Sequence, residues 1–258
     1  MVPGSRWYNN PLRLACHLSA VTIAFISDLH LTPDRPVSTR LFEEFVADAG
    51  LFLRQLYVLG DLFEYWIGDD GAELLGHEDV EVAIRKIVDS GTDVFFLHGN
   101  RDFLVGQSFS ERTGCKLLPD PIVVDFDQTR ILLTHGDALC TDDIEHQEAR
   151  RQMLSSKWKA AFLDKTLDQR FQTADTMRKE SEINKLNKSM EIMDVNQEAV
   201  ETLMLKHDVD LMIHGHTHKP AAHEFTLNGR LKRRYVLGDW YTQKSAIFYN
   251  DGKLVLRR

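Results

Sequence analysis

Val21-Thr22-Ile23-Ala24-Phe25-Ile26-Ser27-Asp28-Leu29-His30 is the stretch on which the reading of the chain turns. A short β-branched and apolar run that stops abruptly at polar residues is the pattern of a buried strand delivering a loop. Asp28 and His30 stand two apart at that strand end, so their side chains project to one side. The pattern recurs. Gln55–Leu59 ends at Gly60-Asp61, Val94–Leu97 at His98-Gly99-Asn100, Arg130–Thr134 at His135-Gly136-Asp137, and Val209–Ile213 at His214-Gly215-His216. Helix-like segments at 38–49 and 78–89 separate the first three strands, giving the strand and helix alternation of an α/β fold. Ligands in such sheets collect at the carboxyl ends of the strands. Five strand ends carrying metal-capable residues therefore predict one shared site.

Outward from this frame, two regions differ. After residue 220 the strand-like runs shorten, to Tyr235–Leu237, Ala246–Tyr249 and Leu254–Leu256, which predicts antiparallel completion of a second sheet. Residues 142–190 hold no strand signal, no Pro and no Gly, and are rich in helix formers. From Asp143 to Lys188 there are ten Lys plus Arg against eight Asp plus Glu, a slightly basic segment in a chain of net charge -8. The expected division is a core over 21–141 and 191–258, a helical cap inserted at 142–190, and an N-terminal extension over 1–20, disordered in this reading.

The 258 residues, 43% hydrophobic and 27% charged, suit a globular domain with an elaboration. Cys16, Cys115 and Cys140 are odd in number and widely spaced, which indicates neither a disulfide framework nor a zinc ribbon, and predicts reduced thiols in the cytosol. The acidic balance argues against bulk binding of nucleic acid. No apolar run approaches the roughly 20 residues of a membrane-spanning helix. Arg6 and Arg13 ahead of the apolar stretch ending at Ile26 faintly suggest a signal peptide. Cleavage there would cut into the first core strand, so that reading is rejected.

The candidate ligands are Asp28, His30, Asp61, Asn100, His135, His216 and His218. Any one of them alone has an ordinary explanation, a hydrogen-bonded core histidine or an aspartate in a turn; five strand ends together do not. Carboxylate, amide and imidazole donors suit borderline divalent ions such as Mn²⁺, Fe²⁺ or Zn²⁺. Seven ligands are too many for one tetrahedral zinc. They fit two ions sharing a carboxylate, which activate water and neutralise phosphoryl oxygens. Phosphoester chemistry follows. The neighbouring glycines allow sharp turns and close approach, and His214 reads as a strand-end neighbour of the ligands.

In order, Asp28-x-His30, Gly60-Asp61, Gly99-Asn100, His135 and Gly215-His216-x-His218 resemble the calcineurin-like metallophosphoesterases, over nearly the whole chain after residue 21. The resemblance implies a β-sandwich flanked by helices, with Asp61 bridging two metals. One metal would take Asp28, His30, Asp61 and His218, the other Asp61, Asn100, His135 and His216. Many family members carry Gly-Asn-His-Asp or Gly-Asn-His-Glu at the third motif; here the text is Gly99-Asn100-Arg101-Asp102. Arg101 is no acid at neutral pH but clamps phosphate oxygens bidentately. A phosphate leaving group is a weak base and needs little protonation. The departure favours a pyrophosphate substrate.

Longer strings narrow the match. Gly60-Asp61-Leu62-Phe63-Glu64-Tyr65-Trp66-Ile67-Gly68-Asp69-Asp70, His135-Gly136-Asp137-Ala138-Leu139-Cys140-Thr141-Asp142-Asp143 and Ile192-Met193-Asp194-Val195-Asn196 look like the branch of the family that hydrolyses UDP-2,3-diacylglucosamine in lipid A synthesis. That branch implies water attack on the α-phosphate, giving UMP and 2,3-diacylglucosamine 1-phosphate, usually with Mn²⁺. It also implies catalytic roles for Asp61, Asn100, Arg101 and His135, and substrate contacts at Asn100, Arg101, Asp143, Ser181, Lys185, Lys188 and His216. Position 185 varies within the branch. Ser181, Lys185 and Lys188 are spaced i, i+4, i+7 and share one helix face, which without the resemblance reads as solvated. Trp158, Phe162, Leu163 and Phe171 either line a slot for two acyl chains or pack the cap on the core. A lipid-linked nucleotide substrate implies a peripheral protein, expected as a monomer, on the cytoplasmic face of a bacterial inner membrane. The competing readings are a generic dinuclear phosphatase or phosphodiesterase of the same fold, and a binding module that keeps the fold without catalysis.

Overall fold

The computed structural model describes residues 22–49, 52–126, 128–186, 188–189 and 192–258. The extension expected over 1–20, with Cys16, lies outside the described residues, as does the side chain of Lys185. Two sheets carry the architecture. The first runs β11-β10-β1-β2-β3-β4, with β1 (Thr22–Ile26), β2 (Leu53–Leu59), β3 (Asp93–Leu97) and β4 (Lys116–Leu118) parallel. Its other edge is the antiparallel pair β10 (Ala246–Asn250) and β11 (Lys253–Arg257). The second runs β5-β6-β7-β9-β8, from β5 (Ile122–Phe126), β6 (Thr129–Leu133), β7 (Leu211–His214), β8 (Ala221–Leu227) and β9 (Arg230–Val236). The α/β expectation holds.

The C-terminal part needs a correction. The last two strand runs do not extend the second sheet: β10 pairs with β1, Ala24 opposite Phe248, and closes the first sheet. The antiparallel strands of the second sheet are β5 and β8, while β9, which carries Tyr235, runs parallel to β7. Side-chain alternation then sorts the core. Ile23 and Phe25 of β1 face between the sheets with Tyr57, Leu59, Leu133 and Ile213. Ala24 and Ile26 face the other way, with Leu56, Val58 and Phe96, onto helices α1 (Pro36–Ala49), α2 (Glu78–Asp89) and α3 (Gln107–Thr113). Helix α7 (Gln197–Lys206) covers the outer face of the second sheet through Val200 and Met204.

Between β6 and α7 lie α4 (Ile144–Leu154), α5 (Ser156–Leu163) and α6 (Leu167–Leu186). Two starts are capped: Asp143 accepts from the His146 N–H and Ser155 from the Trp158 N–H. This segment sits on the loops after β2 and β3 at two places. Phe162 is buried in a cluster with Ile67 and Leu75. Arg170 is buried and donates to the carbonyls of Ile67, Leu163 and Lys165 and to the Asp70 carboxylate. Asp69 stiffens the floor beneath, its carboxylate accepting from Trp66 Nε1 at 3.0 Å and from the Gly106 and Phe109 N–H groups that open α3.

Candidate metal centre and cavity

The carboxyl ends of β1, β2, β3, β6 and β7 converge, and the loops leaving them hold seven donor side chains in one cleft. Asp28, His135, Asp61 and His30 are 0, 0, 2 and 4% exposed. The backbone there is unusual: Asp28, His30, Asp61, His216 and His218 all take positive φ, between 49° and 66°. Such residues cost about 1 to 3 kcal/mol each and persist only where their surroundings impose the conformation. The surroundings do so. Asp28 N donates to the Gly60 carbonyl and His30 N to the Asp61 carbonyl, tying the first two loops together. The buried Asp102 carboxylate collects the N–H groups of Asp61, Leu62 and Gly99 at 3.3, 2.8 and 2.8 Å, tying the second loop to the third. The His216 N–H donates to both oxygens of Asp28, at 3.1 and 2.9 Å. Two glycines are required for this crossing of loops. A Cβ on Gly60, at φ +86°, would meet Gly99 N at 2.5 Å, and one on Gly215 would run into Ser27 Oγ and Asp28 Oδ2.

The side chains form two triads, Asp28, His30 and His218, and Asp61, His135 and His216. In the first, His218 Nε2 lies 3.4 Å from Asp28 Oδ1 and 3.1 Å from His30 Nε2. In the second, His135 Nδ1 meets the Leu59 carbonyl at 2.8 Å. A carbonyl only accepts, so the Nδ1 carries a proton, and the Nε2 position is open to a metal or, without one, to a second proton. It faces Asn100 Oδ1 at 3.1 Å and Asp61 Oδ2 at 3.6 Å. That Asp61 oxygen is also 3.8 Å from His30 Nε2, while its partner Oδ1 is taken by the Arg101 N–H at 2.8 Å. Asp61 Oδ2 thus lies between the triads. Three acceptors aimed at one point are satisfied by a cation, and this donor set fits divalent metals. The electrostatics agree: burial alone would lower both imidazoles, yet Asp61, Asp137 and Asp28 bring His135 to about 9, and Asp28 and Asp239 bring His218 to about 10. The cleft draws positive charge.

The cleft opens into a cavity of about 430 Å³ whose far wall is the cap. Arg101 lines it beside Asp61 and Asn100, and Asp143, Ser181 and Lys188 line it from the cap side. Lys188 Nζ is 2.6 Å from the Asp143 carboxylate. Of the candidate acyl-slot residues, Trp158 and Phe162 line the cavity with stacked rings 4.9 Å apart, and Phe162 also packs on the core. Leu163 and Phe171 stay 39 and 38% exposed, outside the cavity lining, and Phe171 meets Tyr65 edge-on.

Sequence reasoning missed Asp239, whose carboxylate lies 3.5 Å from His218 Nδ1 and orients that ring. The signal was present: Tyr235–Leu237 ends at Gly238-Asp239, the same strand-end pattern a sixth time. It also missed Glu64, which is buried, pairs with Arg35 at 2.9 Å and stands 3.7 Å from His30 Nδ1, and the supporting role of Asp102. His146 escaped notice too, stacked on His216 with ring centres 5.4 Å apart.

Comparison with known proteins agrees with the geometry. The sequence profile of the calcineurin-like phosphoesterases matches residues 21–220. A UDP-2,3-diacylglucosamine hydrolase from Aromatoleum aromaticum is 48% identical over 217 residues, spanning 84% of this chain and 88% of the relative. Proteins of the same name from Aeromonas salmonicida and Marinobacter nauticus are 46% and 48% identical, spanning 89% and 85% of this chain and 90% of each relative. With the ligand constellation and these matches together, the chain belongs to the calcineurin-like phosphoesterase family, alongside the UDP-2,3-diacylglucosamine hydrolases.

Proposed function

We propose that this chain hydrolyses the pyrophosphate bond of UDP-2,3-diacylglucosamine, giving UMP and 2,3-diacylglucosamine 1-phosphate by attack of water on the α-phosphorus. The observation that carries the reading is the continuity of one cavity, from the two ligand triads and Arg101 to Lys188, Trp158 and Phe162 of the cap. A phosphate-binding floor and an aromatic, partly basic wall suit a substrate that is diphosphate at one end and lipid at the other. The relatives' shared name supports the same substrate. In this reading residues 21–141 and 191–258 are the catalytic core and 142–190 the substrate cap. The protein works as a monomer at the cytoplasmic face of the inner membrane. Among the described residues no helix is long and apolar enough to cross a bilayer, so peripheral association is the mode proposed. Finding all activity in the supernatant after membranes are spun down at low salt would contradict it.

Asp28, His30, Asp61 and His218 would hold one divalent ion, and Asp61, Asn100, His135 and His216 a second, with Mn²⁺ as the occupant. When bound, such a pair lowers the pKa of water toward neutrality and sets positive charge against the phosphoryl oxygens. The chain's own groups do the remaining work. Asp102, holding four backbone N–H groups, of Asp61, Leu62, Phe63 and Gly99, fixes Asp61 and Asn100 relative to each other. Arg101 neutralises charge growing on the non-bridging oxygens and does not act as an acid. The sugar phosphate leaves as a weak base and so needs little protonation. Asp143, Ser181, Lys185 and Lys188 bind the polar head of the substrate, while Trp158 and Phe162 meet the start of the acyl chains. The test is turnover of UDP-2,3-diacylglucosamine with Mn²⁺ in detergent and ¹⁸O water. Label in UMP is expected; label in the sugar phosphate moves the attack, and no cleavage alongside turnover of simple esters favours a generic phosphodiesterase.

A further inference from the structure

We propose that His146 contacts the substrate, its Nε2–H donating a hydrogen bond to a phosphoryl oxygen of the bound diphosphate. This deepens the pyrophosphohydrolase reading above and rests on it. His146 sits in the first turn of α4, where the Asp143 carboxylate holds its backbone N–H at 3.0 Å. Its ring stacks on that of His216, 30° from parallel, and lines the cavity shared with Asp61, Asn100 and Arg101. Yet Nε2 is buried and has no hydrogen-bond partner. A buried polar atom left unpaired is costly, and native proteins keep few of them. The nearby Asp143 carboxylate is already engaged, by Lys188 and by the His146 backbone. Nε2 is closed to solvent in the open cavity, so the contact forms when the ring turns toward the cavity and meets a phosphoryl oxygen held above the triads. Arg101 then grips the diphosphate from the core side and His146 from the cap side.

Two substitutions separate a contact from a prop. His146→Phe keeps an aromatic ring against His216 and removes the donor; His146→Gln keeps an N–H and removes the ring. With the full-length, Mn²⁺-loaded protein, the Phe variant is expected to lose about 10- to 100-fold in kcat/KM, with Gln recovering part of the loss. Metal content stays at the wild-type value and the thermal midpoint of the Phe variant is equal to or above wild type, because an unsatisfied buried donor has been removed. Calorimetric binding of UMP weakens by a similar factor, a readout that requires no turnover. Wild-type kcat/KM and UMP affinity in the Phe variant would overturn the proposal. So would a loss accompanied by a lower midpoint or missing metal that Gln does not rescue, since the ring would then only support His216. If the wild type binds UMP but does not cleave the lipid nucleotide, the pyrophosphohydrolase reading fails on its own, and the UMP difference between wild type and Phe variant still decides the contact.

Discussion

The strand-end cleft and the helical cap are built to opposite specifications. In the cleft Asp28, His30, Asp61 and His135 are buried, five donors sit at positive φ, and neighbouring loops are tied by backbone hydrogen bonds and by the Asp102 carboxylate. In the cap, α4 has no buried residue and α5 only Phe162. The cap is held to the loops below by the Phe162 cluster and the Arg170 hydrogen bonds. Metal chemistry needs donors fixed to a few tenths of an ångström, and the lowest-mobility part of an α/β fold supplies them. Admitting a large amphiphilic substrate needs a wall that can yield, and lightly packed helices open at low cost. In the proposed function, rigidity and access therefore fall to different segments of one chain.

If that division is right, substitutions in the cleft should abolish chemistry and those in the cap should alter binding. Asp61→Ala removes the oxygen that faces both triads, and a loss of kcat of at least about 10³-fold is expected, with metal content falling below two ions per chain. An active, fully loaded variant would break the bridging assignment. Arg101→Ala should lower kcat by about 10²-fold while leaving metal content intact, since Arg101 touches Asp61 only through its backbone N–H; loss of both ions there would remove the role given to its guanidinium. Arg170→Met should loosen the cap by about 2 to 4 kcal/mol, chiefly because three carbonyls lose their donor. The exposed Asp70 adds little. Protease cleavage within 142–190 should quicken and KM should rise at unchanged metal content; a fall in metal content would mean the regions are not separate.

Lys188→Ala should have the smallest effect, a rise in KM of about fivefold with kcat nearly unchanged. The pair also sets a pH dependence. Burial raises the Asp143 carboxyl, but the Lys188 ammonium and the His146 N–H outweigh it and hold the group below its ordinary value. A lowered carboxylate pKa contributes stability above the unfolded value near pH 3.9, and this is lost as pH falls through the folded one. Thermal midpoints of wild type and variant should therefore differ above about pH 4 and converge in stronger acid. Parallel curves throughout would show that the pair stores no linkage energy.

The two regions also differed in how much the sequence disclosed. The cleft was legible because its donors stand at the ends of apolar strands, where Asp28, Asp61 and His135 interrupt an otherwise buried pattern. Strand β9 was largely hidden for the converse reason. Its buried positions include Lys232 and Arg234, whose charges hide the period-two alternation; Lys232 is met by Val209 and Asp210, and Arg234 meets His214 while its Nε stays buried and unpaired. The sheet to which β10 and β11 belong could not be read at all, since pairing with β1 joins residues more than 200 apart. The helical character of 142–190 followed from composition, but the placement of Arg170 and His146 depends on tertiary contacts with loops far away in sequence. Glu64 was missed because it orients a ligand and carries no ligand spacing of its own, and Asp239 because its strand-end pattern closes a strand whose buried charges obscured it.

The central claim is a pair of divalent ions sharing Asp61 at the floor of the cleft. Anomalous diffraction at the manganese edge, on crystals grown with Mn²⁺, tests it most directly. Two peaks about 3.5 to 4 Å apart, one in each triad with Asp61 Oδ2 between them, are predicted. A single peak, or two that do not share Asp61, would contradict the account.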